Sequence, residues 1–166
     1  MLARACADAM LAADRATPGL GMTLESVAAG HAVITMPVRP DMLNGLGICH
    51  GGFIFSLADS AFAFACNSYG DQAVAQRCDI QFLRPAAIGE TLRAAAVERT
   101  RSGRTGLFDV RVTGADGTIV AEFRGQSRTT GKRFFEPGDE PCPASKPAVP
   151  FRGSAKRVSA DRECLP

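Results

Sequence analysis

The residue types best suited to chemistry lie between Met42 and Tyr69. A loop, Met42-Leu43-Asn44-Gly45-Leu46-Gly47-Ile48-Cys49, leads into His50-Gly51-Gly52, and an apolar segment follows from Phe53 to Ser68. That segment carries one acid, Asp59, near its middle. Burying an ionised carboxylate unpaired costs roughly several kcal/mol, so Asp59 needs partners or a function. At the start of the same segment, the first turn of a helix leaves backbone N–H groups without acceptors. The macrodipole adds partial positive charge there. Gly51 and Gly52 let another molecule approach that backbone closely. Such donors suit a carbonyl oxygen that becomes an oxyanion. Donor plus carboxylate is the minimum for acyl hydrolysis. Two helical turns separate them, so Asp59 would act on a substrate threaded across a subunit interface.

The elements that must position these groups follow from periodicity. Phe53–Ser68 is hydrophobic nearly all round, which belongs in a core. Its main polar residues, Ser56, Asp59, Ser60 and Asn67, fall on one stripe with Ala63 at about 100° per residue, and that stripe should face a cleft or an interface. Before it, Leu2 to Asp14 forms a short amphipathic helix ended by Thr17-Pro18-Gly19. Gly21–Val27 and His31–Val38 read as strands around a small-residue turn. After Gly70 the period becomes two: strands are expected over Val74–Leu83, Thr91–Thr100, Gly106–Thr113 and Thr118–Arg128, with a hairpin turn at Ala115-Asp116-Gly117. One long helix followed by antiparallel strands is an α+β layout with the sheet packed on the helix.

Composition narrows the function classes. With 166 residues and a net charge of +2, one domain is expected, and bulk charge does not suggest a nucleic-acid partner. The domain spans residues 1–130, with twelve basic and twelve acidic side chains; residues 131–166 form a Pro-rich tail, expected to be extended or disordered. Every basic residue before Lys132 is Arg. Arg4 and Asp8 interrupt the N-terminus before an apolar run forms, so no secretion signal is expected. The central helix is too short and too polar to span a bilayer, and a soluble cytoplasmic protein is expected.

Other chemistries fit less well. The six cysteines, Cys6, Cys49, Cys66, Cys78, Cys142 and Cys164, show no metal-ligand spacing and read as structural thiols. The two histidines, His31 and His50, do not make a metal site. Ser56 and Ser60 lack a triad histidine, and Cys49 does not pair with His50 through adjacency alone. Phe53, Phe62 and Phe64 line an aromatic pocket or belong to the core.

The string Met42-Leu43-Asn44-Gly45, Cys49-His50-Gly51-Gly52, Phe55-Ser56-Leu57-Ala58-Asp59 and Ala65-Cys66-Asn67-Ser68 resembles the hotdog-fold thioesterases, in particular the phenylacetic-acid-degradation group. Phe82-Leu83-Arg84-Pro85 and Phe123-Arg124-Gly125 fit the same group, and the resemblance covers roughly residues 5–130. It implies an antiparallel sheet wrapped around the central helix, dimers joined as a homotetramer, and sites between subunits. The implied substrates are acyl-coenzyme A thioesters, with ring-hydroxylated phenylacetyl esters favoured among near relatives. No separate cofactor is implied, because coenzyme A is part of the substrate. The resemblance makes Asp59 the nucleophile or general base and the Gly51 amide the oxyanion donor. Asn44 and His50 would hold the thioester or the lytic water, although His50 is as well suited to orienting the turn. Gly52, Leu83, Arg84 and Pro85, together with Arg101, Gly103, Arg104 and Thr105, would line the coenzyme A groove, with Arg128 facing the nucleotide phosphates. Arg84 and Arg104 equally suit ordinary surface ion pairs.

Two other readings of the same fold are open. An enoyl-coenzyme A hydratase would need an Asp–His pair, and no histidine follows His50. A non-catalytic acyl-coenzyme A sensor would bind without releasing thiol, and no helix-turn-helix fits residues 1–20.

Overall fold

The computed structural model describes residues 1–136. The rest of the Pro-rich tail, with Cys142 and Cys164, lies outside the described residues. The expected layout is present: a long helix, α3, lies against a single antiparallel sheet. In chain order come α1 (Leu2–Ala13), one further helical turn α2 (Ala16–Gly19), β1 (Thr23–Ala28), β2 (His31–Pro37), α3 (Gly51–Cys66), β3 (Asp71–Phe82), β4 (Thr91–Ser102), β5 (Thr105–Thr113) and β6 (Ile119–Arg133). The six strands run in the order β1-β2-β4-β5-β6-β3, so β1 and β3 are the edges.

Strand alternation decides which face meets the helix. Phe108, Val110 and Val112 of β5 are buried toward α3, as are Leu92, Ala94 and Ala96 of β4. The intervening Asp109, Arg111, Glu122 and Arg124 form an ion-paired outer face: Arg99 and Arg124 both reach Asp109, and Arg111 reaches Glu122. Gly125 lets helix and sheet approach: a Cβ there would stand 2.9 Å from the Phe62 ring. Gly106, within the sheet, makes room for Phe108 of its own strand, 2.7 Å from where its Cβ would be. Phe62 meets Phe108 and Phe123 with ring centroids 5.5 and 5.9 Å apart. Phe62 and Phe64 are therefore core residues, not pocket walls.

Several boundaries differ from the sequence reading, each for a local reason. The helix begins at Gly51, because the His50 side chain caps it, and it ends at Cys66. Asn67 does not continue the polar stripe into a cleft. It is buried; its amide donates to the Ala63 and Ala73 carbonyls (both 3.0 Å), and its Oδ1 accepts from the Ala73 N–H (2.8 Å). That clamp turns the chain into β3, which begins at Asp71 rather than Val74. With β3 longer, β6 has a partner as far as Arg133, opposite Asp71, and Gly131–Arg133 join the ladder. After α1, Thr17-Pro18-Gly19 forms most of the extra turn α2 instead of a simple break.

Candidate active site

The loop before α3 is built around Asn44. Its Oδ1 accepts from the Leu46 and Ile48 amides at 2.9 and 3.3 Å, and its own N–H donates to the Ile48 carbonyl. The Asn44 side-chain NH₂ meets no acceptor among the described residues. Gly47 takes φ +74° at the tip, a conformation that suits glycine. Leu43 bridges Cys49, the Cys49 N–H donates to Ala86, and the His50 N–H donates to Met42. The loop is thus tied to the segment after β3 and delivers His50 to the helix start.

His50 and the two glycines divide their roles. The imidazole Nδ1 accepts from the Gly52 N–H at 3.0 Å. A neutral ring so engaged carries its proton on Nε2, which leaves that N–H as an outward donor on an exposed side chain. The Gly51 N–H, one residue earlier, has no acceptor among the described residues. Only one of the two glycine amides is therefore free for a ligand, and it is the one at the mouth of an open groove of about 370 Å³. Asn44, Gly51, Leu83, Arg84 and Pro85, distant in sequence, line this groove together with Ile48, Cys49, Ile54 and Phe82. The Phe82 ring tip lies 3.0 Å from where a Gly51 Cβ would be, so a side chain at position 51 would press on it. Phe82 is a groove residue that sequence reasoning leaves out of the site, although its neighbours Leu83, Arg84 and Pro85 are among the candidates.

Asp59 lies elsewhere on the same helix. Eight residues separate it from Gly51, about 12 Å of helical rise, and it does not line the groove. It is half-buried, and among the described residues no cation pairs with it. Its one hydrogen bond among the described residues comes from the Cys78 thiol of β3, Sγ to Oδ1 3.9 Å. Burial raises its pKa above the usual carboxylate value, and the thiol partly opposes that. The same burial, with the carboxylate nearby, pushes Cys78 up to about 11 and Cys66 up to about 12. Cys49 is likewise pushed up by burial, which leaves it a poor nucleophile.

The basic candidates divide between pairing and exposure. Arg84 is engaged by both Glu90 oxygens, at 3.0 and 3.2 Å, and donates to the Pro85 carbonyl. Arg104 donates twice to the Thr129 carbonyl, and Arg101 stacks 3.7 Å over the Tyr69 ring. Gly103 makes the β4–β5 turn at φ +56°, next to Thr105. Arg128 is exposed and has no ion pair among the described residues; it sits opposite Val74 and Thr105 in the sheet. On β6, Arg128 is eight residues from Val120, which accepts from the Leu83 N–H. That is roughly 25 Å along a strand. Within one chain the groove and the Arg-bearing hairpin lie at opposite ends of the sheet.

The fold and the site together place the chain in a known class. Residues 46–121 match the thioesterase superfamily, and the chain belongs to that family, with the hotdog fold. It is 47% identical over 125 residues to the acyl-coenzyme A thioesterase PaaI of Escherichia coli K12, covering 75% of this chain and 89% of the relative. The solved structure of the E. coli PaaI protein from the phenylacetic acid degradation operon superposes with a TM-score of 0.78 at 46% identity, covering 79% of this chain and 95% of that one. A Streptococcus mutans UA159 protein solved with acetyl-CoA superposes with a TM-score of 0.65 at 31% identity, covering 68% and 90%.

Proposed function

We propose that this chain hydrolyses acyl-coenzyme A thioesters of the phenylacetyl type, releasing free acid and coenzyme A. The observation that carries the reading is a half-buried carboxylate that no cation of the described residues pairs with, on a helix that opens with a glycine amide uncommitted among those residues. It stands in a chain nearly half identical to an acyl-coenzyme A thioesterase. The thioester carbonyl docks on the Gly51 N–H, where the helix dipole also favours the developing negative charge. Asn44 and the His50 Nε2–H steady the thioester or the water beside it. Asp59 of the partner subunit attacks the carbonyl carbon or takes a proton from water. Coenzyme A departs as a thiolate, a good leaving group that needs no strong acid.

Geometry supports a homo-oligomer, with a homotetramer of paired dimers as the proposed state. Asp59 and Gly51 of one chain do not reach one carbon, and a second copy supplies the missing half. The coenzyme A moiety then runs from the groove at Leu83-Arg84-Pro85 toward the other copy's hairpin, where Arg101, Arg104 and Arg128 offer positive charge to its phosphates. No helix is long and apolar enough to cross a membrane among the described residues. The four cysteines of the described residues, Cys6, Cys49, Cys66 and Cys78, are free thiols, in keeping with a reducing, cytoplasmic setting.

The test is a panel of aryl and aliphatic acyl-coenzyme A esters incubated with the purified full chain, with free thiol measured. Release from phenylacetyl esters well above that from short aliphatic ones supports the reading. Tight binding without thiol release would make the protein a binding module instead.

A further inference from the structure

We propose that Cys78 is a positioning residue for this reaction: its thiol holds Oδ1 of Asp59 and leaves Oδ2 as the oxygen presented to the substrate. The inference rests on Asp59 being the reactive carboxylate. Cys78 lies in the middle of edge strand β3, opposite Gly125 of β6, on the face turned toward α3. Its Sγ is 3.9 Å from Oδ1, within sulfur hydrogen-bonding reach, and no other described side chain bonds to that carboxylate.

The donor's weakness matters. A guanidinium or ammonium at this place would pair with the carboxylate and strip it of basicity. A thiol is a weak donor; it fixes the rotamer while the carboxylate remains basic. With its pKa pushed up to about 11, Cys78 stays protonated throughout the range in which a carboxylate titrates. The bond is therefore present whenever Asp59 is charged.

Among the described residues, no charged side chain competes for this role. Asp59 and Cys66 are the ionisable side chains of α3, and Cys66 is itself pushed up to about 12. On β3, Arg77 and Asp79 alternate with Cys78 and so take the other face. On β5 and β6, Asp109, Arg111, Glu122 and Arg124 bond to one another on the outer face. On β4, Arg93 pairs with Glu25, Arg99 with Asp109, and Arg101 with Glu98. His31 begins β2, and the Arg4–Asp8 pair of α1 is exposed. Among the described residues, burial holds the Asp59 pKa up and the Cys78 S–H opposes it.

The experiment compares C78V, which fills the same space without a donor, with C78S, which keeps one. Hydrolysis of phenylacetyl-coenzyme A is followed from about pH 4 to about pH 9, with D59N alongside. In C78V the acid limb of kcat/KM should rise by roughly half a pH unit, because loss of a donor to the charged form disfavours it. At neutral pH, kcat should fall roughly threefold to tenfold with KM unchanged. C78S should return both toward the parent. If C78V does not fold, C78A carries the same comparison. An unmoved limb and kcat with D59N inactive would overturn the inference and reduce Cys78 to packing, the reading of Asp59 still standing. Parent-like hydrolysis by D59N would remove that reading, and the role of Cys78 with it.

Discussion

On the proposed mechanism, protonation of Asp59 would link catalysis to stability at a single residue. Unfolded, its carboxyl ionises near the ordinary value of 3.8; folded, burial raises it. Between those two values the unfolded chain has lost a proton that the native chain retains. Stability therefore falls as pH rises through that window and is level above it. An asparagine in its place would be neutral at every pH, so D59N should melt higher than the parent at pH 7, and the gap should narrow as pH falls through that window and be gone below about 4. The same substitution should lower kcat by at least about a hundredfold. A variant that is both sturdier and inactive marks a charge kept for function rather than for folding, and melting curves beside rate measurements check both halves. Gly51 allows an equally clean deletion. It is the first helical residue, where proline is tolerated because its missing N–H is an orphan anyway. His50 before it is extended, at φ −63° and ψ 132°, as a residue preceding proline should be. The nearest obstacle is the tip of the half-exposed Phe82 ring, which has room to swing. Gly51→Pro should keep near-parent stability and lose about a hundredfold or more in kcat, the usual effect of removing one oxyanion donor.

At the scale of elements, α3 is held to the sheet by Phe62 seated on Gly125 and by Asn67 at its end. Asn67→Ala would leave the partly buried Ala73 N–H and C=O without their side-chain partner, and the turn into β3 would lose its closure. A loss of about 2–4 kcal/mol follows from leaving such groups unpaired, measurable by denaturant unfolding. Hydrolysis per folded molecule should change far less. This residue also shows what the sequence carried and what it did not. The helix and the alternating strands were legible because burial imprints periods of 3.6 and two on the chain. Asn67 fell on the polar stripe by period alone, yet its partner is a backbone unit six residues later whose position depends on the turn itself. The loop holding Asn44, the glycine turn and the Leu83-Arg84-Pro85 strand end was legible as motif, and the fold brings those pieces to one groove. Cys78 beside Asp59 was not: nineteen residues separate them, and only the packing of β3 on α3 makes them neighbours. The partners of Arg84, Arg101 and Arg104 were equally out of reach, because arginine pairing is settled by local side-chain geometry and not by spacing along the chain.

At the scale of the molecule, the proposed mechanism needs two groups that one chain holds in places where they do not meet. Gly51 opens α3 at the groove, and Asp59 lies about 12 Å further along the same rigid helix. The proposed two-fold arrangement would repair this by setting each copy's carboxylate against the other's amide. The consequence is testable by mixing. D59N lacks the carboxylate and Gly51→Pro lacks the amide, so each alone should be nearly inactive. In a hybrid dimer, one site combines both lesions, while the other joins an intact Asp59 to an intact Gly51. If subunits exchange at random, half the dimers are hybrids with one working site of two, and activity should return to about a quarter of the parent's. Refolding the two variants together from denaturant ensures exchange, with each refolded alone as the control. Recovery toward that fraction requires a shared site. No recovery from a mixture that assembles normally would mean that each chain acts alone, and a different group, from the Gly51 groove itself, would have to attack the thioester.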